Sequence, residues 1–207
     1  MTNVAVVVNA DDDFGRDLCH AFSGRGWTVF GGVAAPLDVD LTSIESMKAA
    51  ASTVAAAVDY VDLLIWNPPV PLSLEGRGAG GEEVVAALEF DFESIKRDYD
   101  VEGLGPVRLV EAFLPLMASG RKHICFLTDR SVSIGAGPAS TDNAGVRIAR
   151  STVPMAAMLM SNHLGKQGYH IGLCLADDPE KVCEYLISGA TDTKVAVQNA
   201  QGELLPF

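Results

Sequence analysis

The chain is short of positive charge: 15 lysines and arginines stand against 27 aspartates and glutamates, for a formal net charge of −12. A field of that sign repels polyanions, so nucleic acid and anionic membrane surfaces are poor partners. Cysteine is scarce as well. Cys19, Cys125, Cys174 and Cys183 lie far apart, without metal-ligand spacing or the density of a disulfide framework, and read as reduced, buried thiols. His20, His123, His163 and His170 are equally scattered, so no metal site is expected. No apolar run approaches the length of a membrane span, and no basic leader precedes the acidic triplet Asp11–Asp13. The expectation is a cytoplasmic protein. What is present is 48% hydrophobic residues in a chain of 207, enough for one domain with a full core and no stapling metal or disulfide.

Apolar runs and helical spacings alternate along the chain. Asn3–Val8 is a short β-branched run with the signature of a buried parallel strand, and Phe14–Ser23 follows with helical spacing, closed by Gly24 and Gly26. Trp27–Val33 reads as a second strand and Ala35–Val39 as a short third. Leu41–Val58 is an alanine-rich helix capped by Thr42 or Ser43. Asp62–Trp66 is a fourth strand, stopped by Asn67-Pro68-Pro69. A glycine-rich surface loop, Glu75–Gly81, leads into helices at Glu82–Leu88 and Phe92–Met117, the latter with a candidate break near Gly103–Pro106. His123–Leu127 is a fifth strand and Asp142–Leu164 a long helix that Pro154 should bend or break. Ile171–Leu175, a helix at Pro179–Ser188 and a last strand at Lys194–Gln198 complete the series. Such alternation implies a single α/β domain over residues 1–207, a Rossmann-like, doubly wound parallel sheet with helices on both faces.

Residues framed in this way resemble a short-chain dehydrogenase/reductase over almost the whole chain. VAVVVNADDDFGRDL matches that family's first strand–turn–helix, and Asp38-Val39 its Asp-Val pair after the third strand. DLLIWNPP stands where the family has a strand ending in Asn-Asn-Ala-Gly. Val101–Met117 follows its fifth helix, and HICFLTD with the small-residue helix after it follows its catalytic strand and helix. The resemblance implies a nicotinamide dinucleotide and a carbonyl–alcohol hydride transfer. The residues that would carry both have changed.

A dinucleotide pyrophosphate binds a glycine-rich turn because glycine lets the backbone come close and present N–H groups at a helix N-terminus. Placing Gly15 on the last glycine of the family's turn puts Asn9 on the first and Asp13 on the middle one. Asp11, Asp12 and Asp13 would then face a dianion, and each carboxylate–phosphate pair at about 5 Å costs about 3 kcal/mol at an effective dielectric of about 20. Taken simply as structure, the same aspartates cap the helix, with Asp13 as N-cap. The ribose-reading residue after the second strand has no counterpart in Phe30-Gly31-Gly32-Val33.

By the same resemblance, the family's Tyr acid/base falls on Val146 and its Lys on Arg150, or on Asn143 and Arg147 in a second register. No tyrosine lies between Tyr99 and Tyr169, and no lysine between Lys122 and Lys166. The family's Ser falls near Thr128 or Asp129, with Ser131 as a slipped option, and its helical Asn falls on Glu102. Losing the proton donor alone costs roughly 10²–10⁴ in rate. After the sixth strand the chain runs almost directly into its final helix, so the substrate-covering lid is expected to be missing.

The helices and last strand through which family members pair are retained, and the sixth helix carries Met155, Met158 and Met160 among small residues. These readings converge on a non-catalytic subunit without its own cofactor, joined to an active short-chain dehydrogenase paralogue in a hetero-oligomer of four chains, with NAD held by that partner. Two alternatives stand beside it. One is a divergent active dehydrogenase or ligand sensor of the same fold. The other is a Mg²⁺-binding phosphatase or receiver-like protein using Asp11–Asp13.

Overall fold

In a computed structural model, the structure describes residues 2–31, 35–69, 91–129, 144–189, 197–199 and 203. Among these residues six parallel strands form one sheet: β1 (Val4–Val8), β2 (Thr28–Phe30), β3 (Leu63–Trp66), β4 (His123–Thr128), β5 (His170–Leu175) and β6 (Val197–Gln198), in the order β2-β1-β3-β4-β5-β6. Helices α1 (Asp13–Gly24), α2 (Ile44–Ala55), α3 (Phe92–Asp98), α4 (Gly105–Met117), α5 (Ala144–Leu164) and α6 (Pro179–Ser188) flank it.

The strands are buried because alternate residues serve two cores. Val4, Val6, Val8, Leu64, Trp66, Ile124 and Phe126 enter the core under α2, α4 and α5. Ala5, Val7, Leu63, Ile65, Cys125 and Leu127 enter the one under α1 and α6. The expected doubly wound α/β class is thus observed. All four cysteines sit in the second core, where burial raises Cys19 and Cys183 to about 11 and Cys174 to about 12, and Cys125 well above its ordinary value. None is a thiolate at neutral pH.

The structure departs from expectation at several places. Ala35–Val39 is not a strand: Pro36 has no N–H to give a ladder, and the segment packs Ala35, Leu37 and Val39 against the first core as irregular chain. β2 ends early, at Phe30, because Gly31 turns the chain at φ +110°, where an added Cβ would lie 1.7 Å from the Val7 carbonyl oxygen. Pro154 does not break α5, which runs unbroken over 21 residues. The candidate break near Gly103 is a π-helical turn, Tyr99–Leu104, joining α3 to α4 without interruption. The N-cap of α1 is Asp12, with Asp13 the first helical residue. Ser43, one of two candidates, caps α2. The predicted Glu75–Gly81 loop, the Glu82–Leu88 helix, Ser131 and Asn143 lie outside the described residues. Among the described residues no helix is long and apolar enough to cross a membrane.

Candidate functional site

In open parallel sheets, ligands bind beyond the carboxyl ends of the strands, where the winding reverses. Here that crevice lies between β1 and β3. Asn9 closes β1 in the left-handed conformation, φ 62°, which asparagine tolerates where the resemblance puts a glycine. Asn67 closes β3 and is 2% exposed. The two clasp each other: Asn67 Nδ2 donates to the Asn9 carbonyl at 2.8 Å, and Asn9 Nδ2 to the Asn67 carbonyl at 3.3 Å.

Asp12 lies between these walls and α1. Its Oδ1 accepts from the Gly15 backbone N–H at 2.7 Å and from Asn67 Nδ2 at 3.0 Å. The retained Gly15 reflects crowding, since an added Cβ would lie 2.6 Å from Ala10 Cα. Asp13 is exposed and pairs with Arg16, which also donates to the Asp11 carbonyl. A cleft of about 210 Å³ opens beside the turn, lined by Asn9, Asp11, Leu37, Asp38, Val39 and Leu41 among others. That is below the 300–1,000 Å³ usual for ligand pockets. Tested against a pyrophosphate, the described turn fits poorly: Asp12 holds two of its donors, and the cation Arg16 is engaged by its own neighbours. For the Mg²⁺ alternative, no cluster of three or more His, Cys, Asp or Glu side chains suited to a metal occurs among the described residues.

The second half of the site centres on Arg150. Glu102, Asp129, Val146 and Arg150, each of which departs from the residue the resemblance implies, meet here or beside it. Val146 and Arg150 are one turn apart on α5, 4% and 8% exposed. Arg147, the alternative position, is half-buried. The Arg150 guanidinium grips Glu102 with both sides of its fork, Nε to Oε2 at 3.0 Å and Nη2 to Oε1 at 2.9 Å. Nη1 reaches Asp129 Oδ2 at 2.5 Å, and Nη2 also donates to the Pro69 carbonyl at 2.7 Å. One side chain thereby joins α5, the π turn, the end of β4 and the chain beyond β3.

The π turn explains how Glu102 gets there. It buries Glu102 and Gly103, and an added Cβ on Gly103 would lie 3.0 Å from Thr152 Oγ1 on α5, so the two segments are in close approach. Arg108 braces the turn, donating to the Asp100 carbonyl at 2.8 Å and to its carboxylate at 2.5 Å. Burial raises the Glu102 carboxyl above its ordinary range, against the opposing pull of Arg150. For Arg150 burial works against the charged form, but hydrogen bonds and charge from Glu102 and Asp129 outweigh it and hold the guanidinium protonated. Among the described residues of this cluster, both carboxylates are bonded to Arg150. Its bases and acids are committed to one another.

A third feature is apolar. Every large hydrophobic side chain exposed among the described residues lies between α3 and α5: Phe92, Tyr99, Leu104, Val107, Ile148, Met155, Met158 and Leu159. Ile148, Met155 and Leu159 share one stripe of α5 at intervals of seven and four residues. Of the three methionines read as one face, Met155 and Met158 are exposed, whereas Met160 packs against the core.

No protein-family model matches the sequence. The curated 1-hydroxy-2-glutathionyl-2-methyl-3-butene dehydrogenase of Rhodococcus sp. (strain AD45) is 25% identical over 187 residues, covering 82% of this chain and 74% of that protein. Among solved structures, the NADPH-bound carbonyl reductase from chicken fatty liver superposes with a TM-score of 0.72 at 14% identity, over 100% of this chain and 94% of the other. Sorbitol-6-phosphate 2-dehydrogenase from Erwinia amylovora gives 0.72 at 14%, over 97% and 100%. A short-chain dehydrogenase/reductase family oxidoreductase from Brucella ovis, in complex with a partially ordered NAD, gives 0.68 at 16%, over 93% and 95%. The fold is that of these oxidoreductases, and the sequence is similar, at 25% identity, to one curated dehydrogenase.

Proposed function

We propose that the chain is a non-catalytic subunit that associates with an active, NAD-dependent short-chain alcohol dehydrogenase chain and supports the assembly or stability of their complex. The observation that carries this reading is the Glu102–Arg150–Asp129 cluster. The positions that the resemblance assigns to helical Asn, Lys and Ser hold an ion network in which each charge is spent on another, and the Tyr position holds buried Val146. A general acid must be free to meet its substrate, and nothing in this cluster is. The exposed apolar layer from α3 to α5 supports the second half of the reading, because apolar area of that kind marks interaction surfaces. A net charge of −12 on each copy disfavours pairing with itself relative to a less acidic partner. In what it lacks, the chain resembles the degenerate subunit of 2-(hydroxybenzyl)succinyl-CoA dehydrogenase of anaerobic toluene degradation, and a four-chain assembly with NAD bound by the partner is the corresponding architecture.

The test is isolation of the tagged chain from its native cells. The expected result is a co-purifying chain with an intact Tyr-x-x-x-Lys motif, a complex that oxidises an alcohol with NAD⁺, and no turnover by the tagged chain alone. A lone chain that turns over a carbonyl or an alcohol overturns the proposal. The divergent-dehydrogenase or sensor alternative is favoured by one observation, the cleft of about 210 Å³ beside Asn9 and Asp38. Saturable quenching of Trp27 or Trp66 by NADH in the lone chain would decide for it.

A further inference from the structure

We propose that the crevice between β1 and β3 is closed by the protein's own anion: the Asp12 carboxylate stands where a dinucleotide phosphate would have to bind, and excludes it by occupancy. The inference deepens the proposed subunit role, which leaves the dinucleotide to the partner, and it is tested on the lone chain.

A carboxylate at a helix N-cap is common and by itself marks no site. Asp12 does more than cap. Its Oδ1 takes the Gly15 N–H of α1 at 2.7 Å and the Asn67 amide from β3 at 3.0 Å, and so bridges both walls of the crevice. Asn67 is 2% exposed and spends its remaining amide hydrogen on the Asn9 carbonyl at 2.8 Å, leaving none for an incoming oxyanion. The nearby cation is held too, with Arg16 on the Asp11 carbonyl and the Asp13 carboxylate. A phosphate would have to displace a carboxylate tethered to the same turn, whose effective concentration far exceeds that of a free ligand. It would then remain beside Asp11 and Asp13. The family-like glycine losses at Asn9 and Asp13 leave a poorer cradle, whereas Asp12 fills it.

The experiment titrates the lone chain with inorganic pyrophosphate and with NADH by calorimetry, with circular dichroism as the check on folding. Three variants are compared: Asp12→Ser, which keeps a capping oxygen and removes the charge; Asp12→Asn, for use if the serine variant is not folded; and Asp11→Ser/Asp12→Ser/Asp13→Gly. Wild type is expected to give no saturable heat with either probe at millimolar concentration. The single variants gain saturable pyrophosphate binding, and the triple variant, with Arg16 freed from the Asp13 carboxylate, binds it about tenfold more tightly. A folded triple variant that takes no pyrophosphate overturns this inference and leaves the subunit role standing. Saturable NADH binding by wild type overturns both.

Discussion

The carboxyl edge of the sheet and the helical layer from α3 to α5 have exchanged their usual properties. An open α/β sheet ordinarily keeps its edge available to ligands and its outer helix faces polar. Here the polar groups of the edge are turned on one another, Asp12 on Gly15 and Asn67, and Arg150 on Glu102, Asp129 and Pro69. The outer layer instead exposes Leu104, Ile148, Met155 and Leu159 to solvent. The contrast separates what a fold needs from what its chemistry needs. Among the described residues the sheet and both cores are well packed, while on the proposed reading the groups that would act on a substrate serve as internal struts.

The largest expected effect tests the edge. Glu102→Ala leaves the Arg150 guanidinium buried with only Asp129 and a carbonyl, and should cost about 3–5 kcal/mol in urea unfolding. Replacing the pair together, Glu102→Met with Arg150→Met, should recover most of that loss, because two matched apolar side chains need no partner. A Glu102→Ala protein that unfolds at the wild-type urea concentration would show that the cluster is not a strut.

Next in size is a pH effect at the same place. Burial raises the Glu102 carboxyl, so the folded state binds that proton more tightly than the unfolded chain. The contribution is therefore fully present below the ordinary value of 4.5 and is lost as pH rises through the raised one. Asp98, also raised by burial, acts in the same direction. Glu102→Gln should flatten this part of the stability–pH curve, and an unchanged slope would remove Glu102 from the account. The smallest effect on folding, within about 0.5 kcal/mol, is expected for Leu159→Glu in the helical layer. The same variant should abolish association with the partner chain in light scattering. Full association would place the interface elsewhere.

Much of the fold was legible because strand burial writes itself as β-branched, apolar runs such as VAVVV and DLLIW, and because Ser43 and Gly24 punctuate helices. Pro36 was the available warning that Ala35–Val39 would not enter the ladder, outweighed by its alternating Ala, Leu and Val. Choosing Asp12 over Asp13 as the cap could not be done by composition, since either carboxylate suits the place and the backbone path, extended at Asp12 with its carboxylate on the Gly15 N–H, decides. The π turn leaves no periodic signature in six residues, yet it is what carries Glu102 inward. Glu102, Asp129 and Arg150 were each found, but as separate losses. Their opposite charges, appearing together at positions brought to one point by the resemblance, were the signal that they would pair.

The most direct test of the whole account is native mass spectrometry of the isolated complex with NADH present, counting nucleotides against chains. The account predicts nucleotide bound in the number of partner chains, and none on this chain when it is released from the complex. One nucleotide on each released copy of this chain would contradict it.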